Sequence, residues 1–586
     1  MQNLKTPGVY IQEISKLPAS VAPVATAVPA FIGYTEKRVR GEEQIPPNTA
    51  VMVRSLLEYE EIFGGPFNED FTVTLDPDVS EPGETKIQIA PADASLSPYR
   101  MYYCMRFFFA NGGGKCYIVS VGGNGYAGQP GPDDIDHEEL LGGLHALEEE
   151  DEPTLLVIPE AIYAGGPEDR KSINDAMLEQ CGKLKDRFSI LDVPVAGDGT
   201  PSSDAAQFRT NETGKSNLSY GAAYYPALNT TLRRSYDETA VNITDNRGGA
   251  GNGRFHEKSL HSVTQGIQVR QGVIEVLSLE DLENGDELVI NDQTFTFHEN
   301  EGDGDIQIKN TLKQVADEIA DVADQLDDFD AERLTGTEKV IINFADDADD
   351  KNSLTITFTG SVEALRISVR DTNSLEPDKV LYNDIKRELD KKRLTLYPSS
   401  AMAGVYARVD RNRGVWKAPA NVSLNLVSEP AVLLTGEEQA PLNVDVTTGK
   451  SINGIPKFHQ KGTLVWGART LAGNDNEWRY IPVRRLFIFI EESIKKATGP
   501  VVFEPNVANT WARSRSMIES FLSDLWREGA LAGATPEEAF FVSIGLGETM
   551  SANDVLNGRL IIDIGLAAVR PAEFIVLQFM HKLQES

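Results

Sequence analysis

Cysteine is nearly missing from this chain: Cys104, Cys116 and Cys181 are the only three in 586 residues. So sparse and odd a set excludes a disulfide framework and suits a reducing compartment. Histidine is scarce too, seven in all, with no HExxH; His256 and His261 stand five apart in a glycine-rich stretch, a spacing that fixes no metal geometry. Positive charge is in deficit, 55 Lys+Arg against 89 Asp+Glu, for a net of −34. That balance excludes a nucleic-acid-coating role, which needs a basic footprint. Long apolar runs are lacking: RLFIFI (485–490) and FIVL (574–577) fall far short of the roughly 20 residues of a membrane span, so no direct membrane insertion is expected. The opening MQNLKTPGVYIQEIS has neither the basic nor the apolar region of a secretory signal. The expectation is a chain made and folded in the cytoplasm, with signal-peptide secretion excluded and release by lysis left open.

Catalytic devices are also lacking. Two GKS tripeptides, Gly214-Lys215-Ser216 and Gly449-Lys450-Ser451, invite a nucleotide reading. A phosphate-wrapping loop needs a further glycine five residues upstream, and Arg209 and Val444 stand there instead. GGNGYAG (122–128) follows a strand but lacks GxGxxG spacing and opens no helix. No GxSxG elbow occurs, and the acidic runs lack the spacing of an EF-hand. Catalytic residues, metal ligands and cofactors are therefore all read as none.

What is present is a multidomain pattern. A chain of this length predicts three or four domains of about 100–200 residues, and 41% hydrophobic residues suffice for real cores. Residues 8–14 alternate like a strand, and Pro18, Pro23 and Pro29 then forbid a helix and predict an extended linker. On its own residues, that strand is an edge of the chain's own sheet or an arm seeking another. SLLEYEEIFG predicts a short helix stopped at Gly64. Met101, Met105 and Phe108 fall at helical spacing, with Tyr102 and Phe109 nearby, a core stripe rather than a cofactor box. Across 138–230, strands TLLVIPE and RFSILDVP alternate with helices, predicting a parallel α/β layer whose sites lie past the strand ends Glu160 and Asp192. Residues 235–265 read as a Gly/Asn-rich connection. Short β-rich segments with one helix fill 270–372, a small α+β insertion with a hairpin near Asn291-Asp292. The clearest helix runs from an expected N-cap at Asn509 to Gly529, with Trp511, Ile518, Leu522 and Leu525 on one face.

Charge divides the chain unevenly. Residues 271–380 hold 28 acidic and 8 basic side chains, whereas 381–586 hold 23 and 24. Dense like charge opposes assembly, so the acidic segment reads as a solvated module and the near-neutral C-terminal part as the piece most surrounded by protein.

Several phrases recur in order with family-like spacing: TPGVYIQEI (6–14), AGVYARVDRNRGVWKAPAN (403–421), INGIPKFHQKGTLVWGARTL (452–471), YIPVRRLFIFIEESI (480–494) and FEPN through FLSDLWREGAL (503–531). Together they resemble contractile tail sheath proteins, the outer sleeve of phage tails, tailocins and injection systems. The resemblance implies an α/β and α+β multidomain fold: an arm and linker at 1–30, an α/β domain at 31–235, an inserted acidic β-rich outer domain at 236–375, a tube-facing inner domain at 376–568 and an arm at 569–586. It implies strand arms that join neighbouring subunits, here Val9, Tyr10, Ile11 and Ile14, and Phe574, Ile575, Val576, Leu577 and Phe579. Hinges would fall at Pro18, Pro23 and Pro571, and Arg513, Arg515 and Arg527 are candidate inner-tube contacts. The implied partners are further copies in stacked helical rings, an inner tube protein, and baseplate and terminator or cap proteins, with no nucleic acid. The competing readings are an α/β nucleotide-binding enzyme around 138–230 and a non-contractile shell or adhesin.

Overall fold

The computed structural model describes residues 21–77, 85–90, 97–122, 135–195, 199–247, 253–265, 267–291, 293–299, 305–326, 329–334, 337–344, 354–375 and 377–574. The chain divides into two compact units. The first comprises residues 1–68, 93–235 and 392–586, and the second 69–92 and 236–391.

The first unit is organised by a seven-stranded sheet. Its strands are β1 (Pro29–Gly33), β2 (Ala50–Val53), β3 (Cys116–Ser120), β4 (Leu155–Val157), β5 (Phe188–Asp192), β6 (Gly221–Tyr225) and β7 (Ile452–Gly454). They lie in the order β7-β6-β5-β4-β1-β3-β2. All neighbours pair in parallel except β2, which runs antiparallel to β3 at one edge. Alternate side chains enter two different cores, because a strand points successive residues to opposite faces. Phe31, Ile118, Leu155, Val157 and Tyr224 join one cluster. Ala30, Ile32, Val119, Leu156 and Tyr225 join the other. Burial on both faces explains why these strands read as unbroken apolar runs.

Helices α1 (Met101–Ala110) and α4 (Ser399–Arg413) supply the first cluster. Helices α2 (His137–Ala146) and α3 (Pro167–Leu184) supply the second. The phrase AGVYARVDR is the inner face of α4. Gly404 lets α4 meet α1 directly, since a Cβ there would lie 2.5 Å from the Phe108 carbonyl oxygen. Tyr406 pairs hydroxyl to hydroxyl with Tyr224 at 2.8 Å, which satisfies two fully buried phenols.

Helices α5 (Ile481–Thr498) and α6 (Ala508–Arg527) build a third cluster with the hairpin β8 (Phe540–Ser543) and β9 (Asp563–Leu566). Helix α5 contributes Ile481 and Ile488 to the first sheet core, and Leu486, Phe489, Ile490 and Ile494 to this one. An RLFIFI run apolar on every side suits a helix gripped between two cores. The expected N-cap at Asn509 is corrected: α6 starts at Ala508, with Val507 in the cap position. Asn506 takes the anchoring role instead, accepting the Trp511 indole N–H at 2.6 Å and donating to the Arg559 carbonyl at 3.0 Å.

The second unit contains a four-stranded antiparallel sheet in which Ile267–Val276 lies between Lys339–Phe344 and the edge strand Leu365–Leu375, and a mixed sheet of Glu287–Ile290, Gln293–His298, Ile306–Gln307 and Ile356–Phe358. Both sheets and the helix Leu312–Ala323 bury one apolar cluster. The hairpin turn holds Asn291 at φ +51°. Part of the Gly/Asn-rich connection is structured rather than loose: Asn242–Asp245 is a strand, and Asp245 is fully buried against Arg247 at 2.8 Å. This strand pairs in parallel with Thr72–Pro77, which draws residues 69–92 out of the preceding α/β region into this unit.

Gly404→Ala is expected to force α1 and α4 apart. The cost should be about 1–3 kcal/mol, read as a lower denaturant midpoint with an unchanged slope.

Candidate intersubunit surface and the roots of the arms

Val9, Tyr10, Ile11, Ile14 and Pro18 lie outside the described residues, as do Ile575, Val576, Leu577 and Phe579. The structure describes the segments that adjoin both expected arms. The proline-rich stretch behind the N-terminal arm is fastened from Val21 onward. Val21 is buried among Leu486, Phe489 and Ile518. The Val24 N–H donates to Ser493 Oγ at 3.2 Å, and the Val28 N–H to Thr154 Oγ1 at 2.9 Å. Arg485 donates to the Thr26 carbonyl at 2.8 Å and forks onto Asp410 at 2.6 and 3.0 Å. Both partners of that ion pair are at most 5% exposed, and the guanidinium lies 4.5 Å from the Tyr406 ring centre. Pro23 is exposed, but the backbone around it is held.

The C-terminal root is fastened in the same manner. Glu573 accepts from Arg469 at 2.6 and 2.9 Å, from Asn443 at 2.6 Å and from the Tyr480 hydroxyl at 3.2 Å. Burial opposes its ionisation, but the bonds from Arg469 and Asn443 outweigh that and hold its carboxyl below the usual range. Pro571, expected as the hinge, therefore stands two residues before a fixed point. Phe574, the first residue past the clamp, is 71% exposed.

Beside this root, β8 and β9 form a two-stranded antiparallel sheet with no third strand among the described residues. Phe541 of β8 is 60% exposed, and on the loop before α6 Val502 and Phe503 stand in solvent. The three arginines of α6 separate. Arg513 and Arg527 have side chains about two-thirds exposed, facing Glu504 at 3.7 Å and Asp524 at 2.9 Å. Arg515 ties the helix to the next loop, donating to the Ile544 carbonyl and to Glu548, both at 2.8 Å.

The strand ends where an α/β enzyme would place its chemistry hold fold-building carboxylates. Glu160 is fully buried and accepts the backbone N–H groups of Tyr34, Arg100 and Met101 at 2.7, 2.7 and 3.0 Å, so it caps α1. Asp192 accepts the Ser399 N–H at 2.8 Å and its hydroxyl at 2.5 Å, at the start of α4. Burial, only partly offset by these donors, pushes both carboxyls up to about 7. Neither GKS tripeptide cradles an anion. The Gly214 N–H donates to Asp175 at 2.6 Å. Buried Lys450 donates to the carbonyls of Arg209 and Thr213 at 2.5 and 2.6 Å. Among the described residues no cluster of three His, Cys, Asp or Glu could hold a metal, and no helix is long and apolar enough to cross a membrane.

Asp410, Arg469, Arg485 and Glu573 were not singled out by sequence reasoning, although each lies in or beside a quoted phrase. For Arg485 and Glu573 the signal is a charge set inside or beside an apolar run, as in VRRLFIF and EFIVL; Asp410, within ARVDRNR, carries none.

The charged and polar groups described at these strand ends and at residues 21–28 and 573 are thus bonded within the chain. Residues 473–581 match the phage tail sheath C-terminal domain. The anti-feeding prophage helical sheath in the contracted state is 26% identical, with a TM-score of 0.53, over 99% of this chain and 100% of that one. The sheath complex of the extracellular contractile injection system PVC in the contracted state is 26% identical, with a TM-score of 0.52, over 99% of each chain. A chain in the six-fold symmetrised anti-feeding prophage baseplate gives 26% and 0.52, over 99% and 100%. No curated protein sequence matches. The chain is thus similar over its full length to contractile sheath chains, and its C-terminal part matches the tail sheath domain.

An acid whose folded-state pKa is raised contributes stability that is fully present below its unfolded value and lost as pH rises through the folded one. For Asp192 that window runs from 3.8 to about 7. Asp192→Asn keeps an acceptor for the Ser399 N–H and removes the charge. It is expected to flatten the fall in stability across this window, measured as denaturant midpoint against pH.

Proposed function

We propose that this chain is the repeating subunit of a contractile sheath. Copies stack as rings into a helical sleeve around an inner tube, and contraction drives that tube through a target envelope. The observation that carries the reading is the full-length likeness to sheath chains in the contracted state, together with the C-terminal domain match.

The local geometry supports this. Val9–Ile14 and Phe574–Phe579 act as strands that complete sheets in neighbouring copies, where backbone bonds supply affinity and alternating side chains supply register. The outer edges of β8 and β9 are the receiving template, as unpaired strand edges readily recruit another strand. Exposed Phe541, Val502 and Phe503 suit a lasting contact with another copy better than a tube that must slide. Arg513 and Arg527 serve as inner-tube contacts, whereas Arg515 is committed to its own loop. Baseplate and cap proteins bound the sleeve at its ends. The acidic module, 28 acidic against 8 basic side chains over 271–380, keeps the particles soluble through its negative field. Assembly takes place in the cytoplasm, and no catalytic step is assigned.

Purified protein is expected to form hollow, cross-striated tubes in negative stain. Deleting residues 1–15 should leave a subunit with the wild-type thermal transition that forms no tubes. Dispersed globules from the full chain would contradict the sheath reading, and normal tubes from the truncation would contradict the role of the N-terminal arm.

A further inference from the structure

The C-terminal root does not end at its ion pair. The backbone of Arg469, whose side chain grips Glu573, is itself held by Asn453. The Arg469 N–H donates to Asn453 Oδ1 at 2.8 Å, and Asn453 Nδ2 donates to the carbonyls of Arg469 at 2.8 Å and Ala223 at 3.1 Å. Asn453 is fully buried in β7, opposite Tyr224 of β6. The next residues add a second tie, the Leu471 N–H donating to the Gly221 carbonyl at 2.8 Å. An unbroken series of bonds therefore joins the carboxylate at the base of the arm to the seven-stranded sheet. Between Glu573 and β9 the chain is held more lightly. The Ala567 N–H donates to the Ala539 carbonyl at 2.8 Å, the Ala532 N–H to the Ala567 carbonyl at 2.6 Å, and the Val569 N–H to the Ala530 carbonyl at 3.3 Å. A pull on the arm without the clamp would fall on these few bonds, which can peel one after another.

We propose that Arg469 and Glu573 form a mechanical anchor that carries tension on the C-terminal arm through Asn453 into the central sheet. The proposal rests on the sheath reading. A subunit that moves while linked to its neighbours pulls on its own arm, and the clamp sends that pull into the largest sheet of the unit rather than into the hairpin region. Arg469 and Glu573 are positioning residues here; neither meets the partner strand.

The test compares sheaths of wild-type, Glu573→Ala and Glu573→Gln protein before and after contraction induced with dilute guanidinium. The readouts are sheath length in electron micrographs and the thermal transition of the subunit. Glu573→Ala sheaths are expected to assemble at wild-type length and to break into short pieces or single rings on contraction, while wild-type sheaths stay continuous. A role confined to subunit stability would lower the transition without fragmenting contracted sheaths. Continuous contracted sheaths from Glu573→Ala would overturn the proposal, as would a folded variant that never assembles, because the clamp would then act on assembly. Should Glu573→Ala fail to fold, Glu573→Gln is judged by the same outcomes. Failure of wild-type protein to form tubes would instead overturn the sheath reading and the anchor with it.

Discussion

A carboxylate removed from water must be met by donors, and in the first unit this requirement decides where distant segments join. Glu160 brings the end of β4 to the start of α1, and Asp192 brings the end of β5 to the start of α4. Asp410 joins α4 to α5 through Arg485, which also holds the N-terminal strap at Thr26. Glu573 joins the last described residues to Arg469 and Asn443. Apolar packing supplies most of the stabilisation but is non-directional. The four carboxylates supply direction, since each accepts only from donors placed within hydrogen-bond reach.

The same requirement fills the rim of the sheet with fold-building groups. An open parallel sheet usually binds ligands past the carboxyl ends of its strands. Here Glu160 and Asp192 occupy that rim, accepting from the starts of α1 and α4 and, for Glu160, from the Tyr34 N–H. Lys450, the more suggestive of the two GKS lysines, is turned into two carbonyls of its own unit. Residues that could have signalled a nucleotide site instead hold loops in place.

Much of this architecture was legible in the sequence, and the failures have physical causes. Strands β4 and β5 and the helices beside them stand out because burial on both faces leaves uninterrupted apolar runs between amphipathic helices. Strand β7 is only Ile452-Asn453-Gly454, and its central residue is polar. Nothing local marks it as a strand; pairing with β6 and the bonds of the Asn453 amide create it. Residues 69–92 leave the surrounding α/β region because Asn242–Asp245, far along the chain, needs a parallel partner. Periodicity cannot report such a demand. The roots of the arms were hidden for a related reason. Arg469, Arg485 and Glu573 look like solvated charges until the fold surrounds them, and only their apolar neighbours hint otherwise.

Buried ion pairs are a poor means of raising stability, because desolvation cancels much of the attraction. Apolar side chains at either root could hold the chain about as tightly. They could not hold it at one point, however, since an apolar contact tolerates sliding by a fraction of a residue. A forked arginine–carboxylate pair has one good geometry, and losing one partner of such a pair costs about 3–5 kcal/mol. It therefore behaves as a joint that is either made or broken. Under the proposed sheath role, in which the two ends would lead into neighbouring copies, a fixed point is worth more than added affinity. Both roots use this device, Arg485 with Asp410 behind the N-terminal arm and Arg469 with Glu573 before the C-terminal one.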